Sequence, residues 1–296
     1  MTYPLILKIN NAVLEDLGDP LFLTWIMAWD VHKFMELDFT GLFDANIFYP
    51  YKNTLAYSDS LIGEAIFALP VIAFLGNAIL AYNLILLMGM ALSGFGMYLL
   101  ASYLTNNRFA AFCAGIIFAF FPWRFAQVVH VQLQYAQWIP LTFLCLHKFL
   151  DKGTYKYLFL STTFFILQFL SGYYYSMYLT FFAGLLIGLE SYRRRLSDKR
   201  FFYKIGLFFF TSAVFVLPFL FPYLEVKQVM GFRRSVEENI HYSADILSYV
   251  SVPTSNLFWG RMTKYFWTPG GGINLEGRLF IGLVALTLAI IGLAGC

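Results

Sequence analysis

Residues 78–104 read AILAYNLILLMGMALSGFGMYLLASYL, and this stretch decides the fold class. It contains no Asp, Glu, Lys or Arg, and its few polar residues stand isolated among Leu, Ile, Met and Ala. A helix needs about 20 consecutive apolar residues to cross the hydrocarbon layer of a bilayer. The stretch therefore predicts a transmembrane helix.

Further apolar runs of similar length follow it, separated by short polar segments. The predicted spans are 78–104, 108–123, 132–150, 155–171, 174–190, 203–223 and 279–296. We therefore predict an all-α membrane protein, a polytopic transmembrane helix bundle that forms a single transmembrane domain over 1–296. Its predicted parts are a first extracytoplasmic loop with juxtamembrane helices (11–77), six transmembrane helices (78–223), an extracytoplasmic loop (224–278) and a truncated last transmembrane helix (279–296).

The composition agrees with a membrane protein. Residues of the set AVILMFWYC make up 59% of the chain, aromatic residues 20% and charged residues 12%, whereas soluble domains are roughly half apolar and about a quarter charged. The net charge of +3 is small and the basic residues form no stripe, which excludes nucleic-acid binding. Cys113, Cys145 and Cys296 have no metal-binding or disulfide spacing.

The basic residues predict the orientation of the chain. The segment 193–204 carries six Lys or Arg residues and one acidic residue, Asp198, which by the positive-inside rule places it in the cytoplasm. Counting spans outward from it places 106–108 and 151–156 on the same side. Residues 11–77, 123–131 and 223–278 then lie together on the extracytoplasmic side.

The apolar run 61–75 is short and contains Glu64 and Pro70. Both residues are costly in a lone lipid-facing span, so we predict an interfacial or re-entrant helix. If the run crossed the membrane instead, residues 11–60 would be cytoplasmic.

Asp19 is the candidate catalytic residue. It precedes Pro20, and an Asp before a proline in the first helical turn is typical of a helix N-cap. A carboxylate at the membrane face is also what a general base requires when a sugar carbon beside a lipid-linked phosphate is attacked. The two interpretations are compatible, and Asp16 is a nearby competitor.

Arg124, His130 and Gln134 place a cation, an imidazole and an amide at a predicted helix boundary. Polar groups at membrane depth are expensive, so the default hypothesis is a substrate-binding site. The alternative for Arg124 is that it snorkels to lipid headgroups. His130 and Gln134 are four residues apart and are expected to share a helical face, which suits the wall of a pocket better than a metal site.

Five more residues are candidates for substrate binding. Lys52 and Asp59 supply a cation and a second carboxylate, although a turn and an N-cap explain them almost as well. The late loop contains Arg233, Arg234 and Glu276. An arginine pair beside the bilayer suits a phosphate or pyrophosphate, and equally an anionic headgroup or a salt bridge to neighbouring glutamates.

Several segments together carry a resemblance to a known family. They are Leu17-Gly-Asp-Pro-Leu21, Trp25 to Trp29-Asp30, Leu42-Phe-Asp-Ala-Asn-Ile-Phe-Tyr-Pro50, Thr54-Leu-Ala-Tyr-Ser58, Gln137-Trp-Ile-Pro-Leu141, Arg234-Ser235, Tyr242-Ser-Ala244 and Glu276 to Gly282. The chain resembles bacterial multi-pass proteins of the GT-C glycosyltransferase class, and is similar to family 39-type mannosyltransferases and aminoarabinose transferases.

The resemblance implies transfer of a sugar from a polyprenyl-phosphate donor to an extracytoplasmic acceptor, on the outer face of the cytoplasmic membrane. It implies an acidic base in the first outer loop, a position that Asp19 matches, although better-studied members have a paired acidic motif where this chain has Gly-Asp-Pro. It also implies that the sequence is a fragment lacking a first helix and a C-terminal part.

The partners predicted from this resemblance are a polyprenyl-phosphate sugar and membrane lipids. No cofactor is predicted, and no motif indicates a metal. The alternatives are a transporter or flippase for a lipid-linked substrate, and a non-catalytic membrane protein.

Overall fold

The fold is all-helical, as predicted. A computed structural model describes residues 3–195, 198–231, 235–241, 243–253, 256–263 and 277–294, and every regular element in these ranges is a helix. The α-helices are α1 (Asp19–Glu36), α2 (Ile62–Leu75), α3 (Ala78–Thr105), α4 (Arg108–Phe120), α5 (Pro122–Ala126), α6 (Val131–Gln134), α7 (Trp138–Lys152), α8 (Tyr155–Ser171), α9 (Tyr173–Arg193), α10 (Lys199–Met230), α11 (Val236–His241), α12 (Gly260–Thr263) and α13 (Leu283–Ala294). Single 3₁₀ turns occupy Leu5–Lys8, Thr54–Tyr57 and Leu247–Val250.

Three helical segments of the described chain are long and apolar enough to cross a membrane: α3, the α4–α5 segment Arg108–Ala126, and α10. Helices α2 and α13 are apolar but shorter. Helix α2 has 14 residues with Pro70 inside it, so its length of about 21 Å is less than the hydrocarbon thickness. The transmembrane character is thus supported, and the number of spans stays a prediction.

Two predicted spans are broken in the structure. The run 108–123 is interrupted because Phe121 adopts an extended conformation (φ −69°, ψ 152°) before Pro122, which starts the next helix. The run 132–150 is likewise not one helix: a single turn, α6, precedes a break, and α7 starts only at Trp138. The polar residues near position 130 therefore lie on irregular backbone.

The chain divides into two compact units, residues 1–115 with 129–231 and residues 116–128 with 232–296. In the first unit α7 packs against α3, α8 and α9, and α8 packs also against α2 and α10. Helix α1 packs against α2 and α3. Leu146, Phe149, Phe165, Leu179 and Phe208 are members of the buried apolar core of this bundle.

One end of the first unit gathers the short loops that were predicted to share a side. Arg194 Nη1, after α9, lies 2.7 Å from Asp151 Oδ1 at the end of α7. Lys204 Nζ donates to the Gly153 carbonyl at 2.6 Å, and Tyr103, in the last turn of α3, donates to Asp151. The predicted grouping of these loops is confirmed, and their cytoplasmic location stays a prediction.

Helix α9 connects this end to the opposite one. It ends at Arg193 beside the basic cluster and begins at Tyr173, whose hydroxyl lies 2.9 Å from Ser60 Oγ. With 21 residues, it is about 31 Å long, close to the hydrocarbon thickness of a bilayer. The candidate site described below therefore lies at the end of the bundle away from the arginines.

The described part of the second unit is small. The backbone after Arg278 pairs with the 3₁₀ turn, since the Leu279 N–H donates to the Ser248 carbonyl at 2.9 Å. Within the same unit, the Arg124 guanidinium lies over the Phe118 ring, 5.2 Å from its centre.

Candidate active site

Asp19 stands at the start of α1, but it is not the N-cap that the sequence predicted. Gly18 is the N-cap, and no side chain makes a capping hydrogen bond there. The Asp16 carboxylate instead accepts the Gly18 N–H at 2.7 Å and shapes the turn. The side chain of Asp19 remains 59% exposed, so it is available to a substrate.

His130 is the partner of Asp19. Its Nε2 lies 3.1 Å from Asp19 Oδ2, and its backbone is extended immediately before α6. The preceding residue is anchored, because the Tyr82 hydroxyl donates to the Val129 carbonyl at 2.7 Å. The buried Nδ1 of His130 has no hydrogen-bond partner in the described part of the chain. The position of the His130 imidazole beside Asp19 is therefore supported by the hydrogen bond between Tyr82 and the preceding residue, Val129.

The predicted common helical face of His130 and Gln134 is wrong. His130 lies outside α6, and that helix is a single turn. The His130 side chain is 28% exposed, whereas Gln134 is completely buried. The Gln134 backbone is packed tightly on α3, since a Cβ on Gly89 would come within 2.9 Å of its carbonyl oxygen. Gln134 thus belongs to the packing beneath the site.

Asp59 joins the same group. Its Oδ2 accepts a hydrogen bond from Gln132 Nε2 at 3.3 Å. Partial burial raises the pKa of Asp59, and the hydrogen bond from Gln132 and the positive potential of nearby His130 act in the opposite direction. The His130 imidazole therefore acts electrostatically on Asp59 and is in direct contact with Asp19.

Two tyrosines from distant helices hold the segment around Asp59. The Tyr223 hydroxyl of α10 accepts the Ser60 N–H at 3.2 Å and donates to the Ser58 carbonyl at 3.0 Å. The Tyr173 hydroxyl lies 2.9 Å from Ser60 Oγ, and the two tyrosine rings meet edge to face with centroids 4.6 Å apart. The loop that carries Asp59 is therefore fixed from both sides.

The arrangement brings an exposed carboxylate, an imidazole and a half-buried carboxyl group together at one end of the first unit. An exposed carboxylate in hydrogen-bond reach of an imidazole can accept a proton from a bound hydroxyl, and the imidazole can orient it. Among the described residues, no group of three or more His, Cys, Asp or Glu side chains is placed to hold a metal ion.

The other predicted site residues do not join this group. Lys52 is exposed, and no hydrogen bond or ion pair of the described residues links it to Asp19 or Asp59. Arg124 is buried, and the choice between substrate binding and snorkelling to lipid headgroups stays a prediction. Its surroundings are described only within the second unit. Arg233, Arg234 and Glu276 lie outside the described residues.

Sequence reasoning missed the two tyrosine anchors. Tyr173 and Tyr223 stand among many other aromatic residues near predicted span ends, and nothing in their spacing distinguishes them. It also gave no role to Asp30, which is completely buried. Glu64 is costly in a lipid-facing span, and an acidic residue inside an apolar run is the signal that could have identified it as a functional candidate.

The described fold and the group around Asp19 define a class: an all-helical protein with three helical segments apolar enough to cross a membrane and a carboxylate and imidazole pair at one end of its bundle. The chain belongs to the family described as a domain of unknown function (DUF6311), whose sequence profile matches residues 6–295. No match was found among the curated proteins or among the solved structures.

Proposed function

We propose that this chain is a membrane glycosyltransferase of the GT-C kind. It transfers a sugar from a polyprenyl-phosphate donor to an acceptor on the extracytoplasmic face of the cytoplasmic membrane. The observation that carries the proposal is the contact of 3.1 Å between Asp19 and His130, at the end of the bundle opposite the basic loops.

In the proposed reaction, the acceptor hydroxyl attacks the anomeric carbon of the donor sugar. The proton of this hydroxyl passes to the Asp19 carboxylate, a new glycosidic C–O bond forms, and the bond between the anomeric carbon and the phosphate oxygen breaks. The electron pair of the broken bond leaves with the polyprenyl phosphate. Attack opposite the leaving group inverts the configuration at the anomeric carbon.

His130 acts on Asp19 in this proposal. Its Nε2–H donates to one carboxylate oxygen, which leaves the other oxygen directed toward the acceptor. Asp59 and Gln132 are hydrogen-bonded to each other beside this pair, and carboxyl and amide groups suit sugar hydroxyls.

The leaving phosphate needs a cation to stabilise its developing charge. On sequence grounds alone, the candidates are Arg124, Arg233 and Arg234, because a guanidinium can bind phosphate oxygens through two parallel N–H groups. Glu276 and Lys52 stay candidates for substrate contacts on sequence grounds alone.

The test uses the purified chain in lipid nanodiscs with a panel of radiolabelled short-chain polyprenyl-phosphate sugars. The membrane fraction of the expression host supplies acceptors, and both sugar transfer and release of free polyprenyl phosphate are measured. We expect one donor to be consumed, and Asp19→Asn to lower the rate by about 100-fold or more.

Asp44→Asn is the matched control, since Asp44 is an exposed aspartate of the same polar region that accepts a hydrogen bond from the Asn53 N–H. Unchanged transfer by a normally expressed Asp19→Asn protein would reject Asp19 as the base. Movement of an intact donor across the bilayer without consumption would favour the flippase instead.

A further inference from the structure

Two carboxyl groups are completely buried in the first unit. Asp30 of α1 and Glu64 in the first turn of α2 are both 0% exposed. None of their four carboxyl oxygens has a hydrogen-bond partner in the described ranges. The Leu61 backbone approaches Asp30 without making a bond of normal geometry.

No basic group compensates these two carboxyls in the part of the chain that the structure describes. The ion pairs of that part leave out both residues. The charged groups that act on Glu64 are both acidic: Asp30, the other member of the pair, and Asp59. The groups that face the pair from other elements include the Tyr135 and Tyr173 hydroxyls. Ionising both carboxyls would therefore place like charges together in a buried place.

An isolated buried carboxylate costs far more free energy than a neutral carboxyl group, so such groups usually take up a proton. Burial accordingly raises the pKa of Asp30 well above its usual range. Helix α1, which carries Asp30, packs against α2 and α3.

A second observation points to a ligand beside the carboxyls. Both amide atoms of Gln137 and of Gln168 are buried and make no hydrogen bond of normal geometry within the described residues. The same holds for Ser171 Oγ and for the Tyr135 hydroxyl, which approaches Gln137 without such a bond. The side chains of these four residues are 0–1% exposed. Orphaned groups of this kind are commonly satisfied by buried water, which makes two to four hydrogen bonds.

Packing directs these groups toward Glu64. Ser171 Oγ occupies the place where a Cβ on Gly63 would lie, at 2.1 Å, and Gln168 precedes Ser171 by one turn on the same face of α8. The Tyr135 ring packs on Phe67, one turn after Glu64, with centroids 6.1 Å apart. Ser171 of α8 and Tyr135 of the segment before α7 therefore lie beside the turn of α2 that carries Glu64, and Glu64 acts electrostatically on the Tyr135 hydroxyl.

We propose that Asp30, Glu64, Gln137 and Gln168 surround a buried, water-containing proton-binding site in which both carboxyl groups carry a proton. The neutral carboxyls donate to and accept from the water, and the amides complete its hydrogen bonds. The proposal does not require the transferase activity, although Asp59 of the candidate active site acts electrostatically on Glu64.

Because the two carboxyl groups lie on α1 and α2, their protonation affects the stability of the folded state. Helix α1 begins at Asp19, and α2 follows the loop that carries Asp59. Loss of the two protons would place two negative charges between these elements. Since the pKa of Asp30 is raised in the folded protein, the folded state binds more protons than the unfolded one, and its stability falls as the pH rises above about 4.

The first experiment is infrared spectroscopy of the purified chain in detergent at neutral pH, before and after exchange into D₂O. We expect a C=O band of protonated carboxyl groups that exchanges slowly. Asp30→Asn and Glu64→Gln should each remove about half of this band, since each deletes one of two carboxyls, whereas Asp44→Asn should leave it unchanged. Absence of the band in the unaltered protein would overturn the proposal, whether or not the variants fold.

The second experiment measures Tm at several pH values in sodium chloride and in choline chloride. We expect Tm of the unaltered protein to fall by about 3 °C or more between about pH 5 and about pH 8. Asn and Gln mimic the neutral carboxyl group, so Tm of Asp30→Asn and Glu64→Gln should change less. A rise of Tm in sodium that both variants lose would show ionised carboxylates holding a cation, and would overturn the proposal.

Discussion

Tyr223 is the residue that ties the Asp59 loop to the helix bundle. It makes two hydrogen bonds to the backbone on either side of Asp59, at Ser58 and Ser60, although it stands more than 160 residues later in the chain. A side chain that serves as both donor and acceptor for one turn positions that turn closely. The precision of the candidate site therefore depends on a residue outside it.

Removing the hydroxyl tests this role. Tyr223→Phe deletes both hydrogen bonds and leaves the Ser60 N–H without its partner, at a net cost of about 1–2 kcal/mol. We expect Tm of the purified chain to fall by about 2–6 °C. The matched control is Tyr174→Phe, because Tyr174 is an exposed tyrosine in the same part of the bundle. Equal Tm values for the two variants would contradict the anchoring role.

Asp38 provides a pH-dependent contribution in the loop after α1. Its carboxylate accepts hydrogen bonds from Lys33 Nζ at 2.7 Å and from Thr40 Oγ1 and the Gly41 N–H at 3.0 Å. The bond from Lys33, followed by those from Gly41 and Thr40, lowers the pKa of Asp38 to about 2. A lowered pKa stabilises the folded state above the unfolded value of about 3.9, and this stabilisation is lost as the pH falls through about 2.

We therefore expect Asp38→Asn to lower Tm slightly at neutral pH. The difference from the unaltered protein should shrink as the pH falls from about 4 toward about 2, as followed by thermal unfolding at graded pH. Asp44→Asn, at an exposed aspartate without an ion pair among the described residues, serves as the control. A difference that stays constant down to the lowest pH would contradict the pKa assignment.

At the scale of single residues, the sequence predicted some of the candidate site. Asp19, His130 and Asp59 were all named, and the structure places them together. The residue types were informative because ionisable groups near apolar runs are rare and costly. Their partners were not predictable, since Tyr173 and Tyr223 come close to Asp59 only through the packing of α9 and α10.

At the scale of helices, the contact of α2 with α8 is unusually close. A Cβ on Gly63 would meet Ser171 Oγ at 2.1 Å, the Ser171 backbone nitrogen at 2.9 Å and the Leu170 carbonyl carbon at 3.1 Å. Two of these atoms belong to the backbone of α8 and cannot rotate away. The absence of a side chain at Gly63 therefore sets the distance between the two helices.

Gly63→Ala should push these helices apart. We expect a cost of about 1–3 kcal/mol for this overpacking, seen as a fall in Tm. Gly184→Ala on α9 is the control, because a Cβ there would meet nothing within 4 Å, and replacing a helical glycine by alanine in open space is neutral or stabilising. Adding Ser171→Ala to Gly63→Ala should restore part of the loss, since it removes the closest atom but not the backbone. A Gly63→Ala protein as stable as the Gly184→Ala protein would contradict the close contact.

Helix boundaries were less predictable than helix positions. Hydropathy marks apolar runs, but it does not show where the backbone turns inside one, so the breaks after Phe120 and after Gln134 were missed. Pro122 and Pro140 were the available signals, because proline favours the first turn of a helix and an extended residue before it. The irregular segment between α5 and α7 carries His130, and this break moved the imidazole off the predicted helical face.

At the scale of the whole first unit, the two ends of the bundle differ in charge and chemistry. Lys204, Arg194 and Asp151 tie the short loops together at one end, and the carboxylate and imidazole group occupies the other. Helix α9 runs from one end to the other over about 31 Å. A bilayer around the bundle would therefore separate the two ends.

Cysteine accessibility tests this orientation. Leu17 and Tyr192 are 74% and 88% exposed and mark the two ends. In a background with Cys113, Cys145 and Cys296 replaced by serine, a membrane-impermeant maleimide added to intact cells should label Leu17→Cys. Tyr192→Cys should react only after permeabilisation. Labelling of both positions in the same compartment would contradict the topology and, with it, the proposed location of the site.

The sequence by itself determined that the fold is all-helical with segments apolar enough to cross a membrane, and it indicated which short loops share one end. Apolar runs and clustered basic residues are local properties of the sequence, and partition into a bilayer depends on them directly. They can therefore be recognised without knowing how the helices pack. Only the tertiary structure decided that His130 meets Asp19, that two tyrosines hold Asp59, and that Asp30 and Glu64 are buried together. These relationships join helices far apart in the chain, and they depend on how side chains from several helices pack.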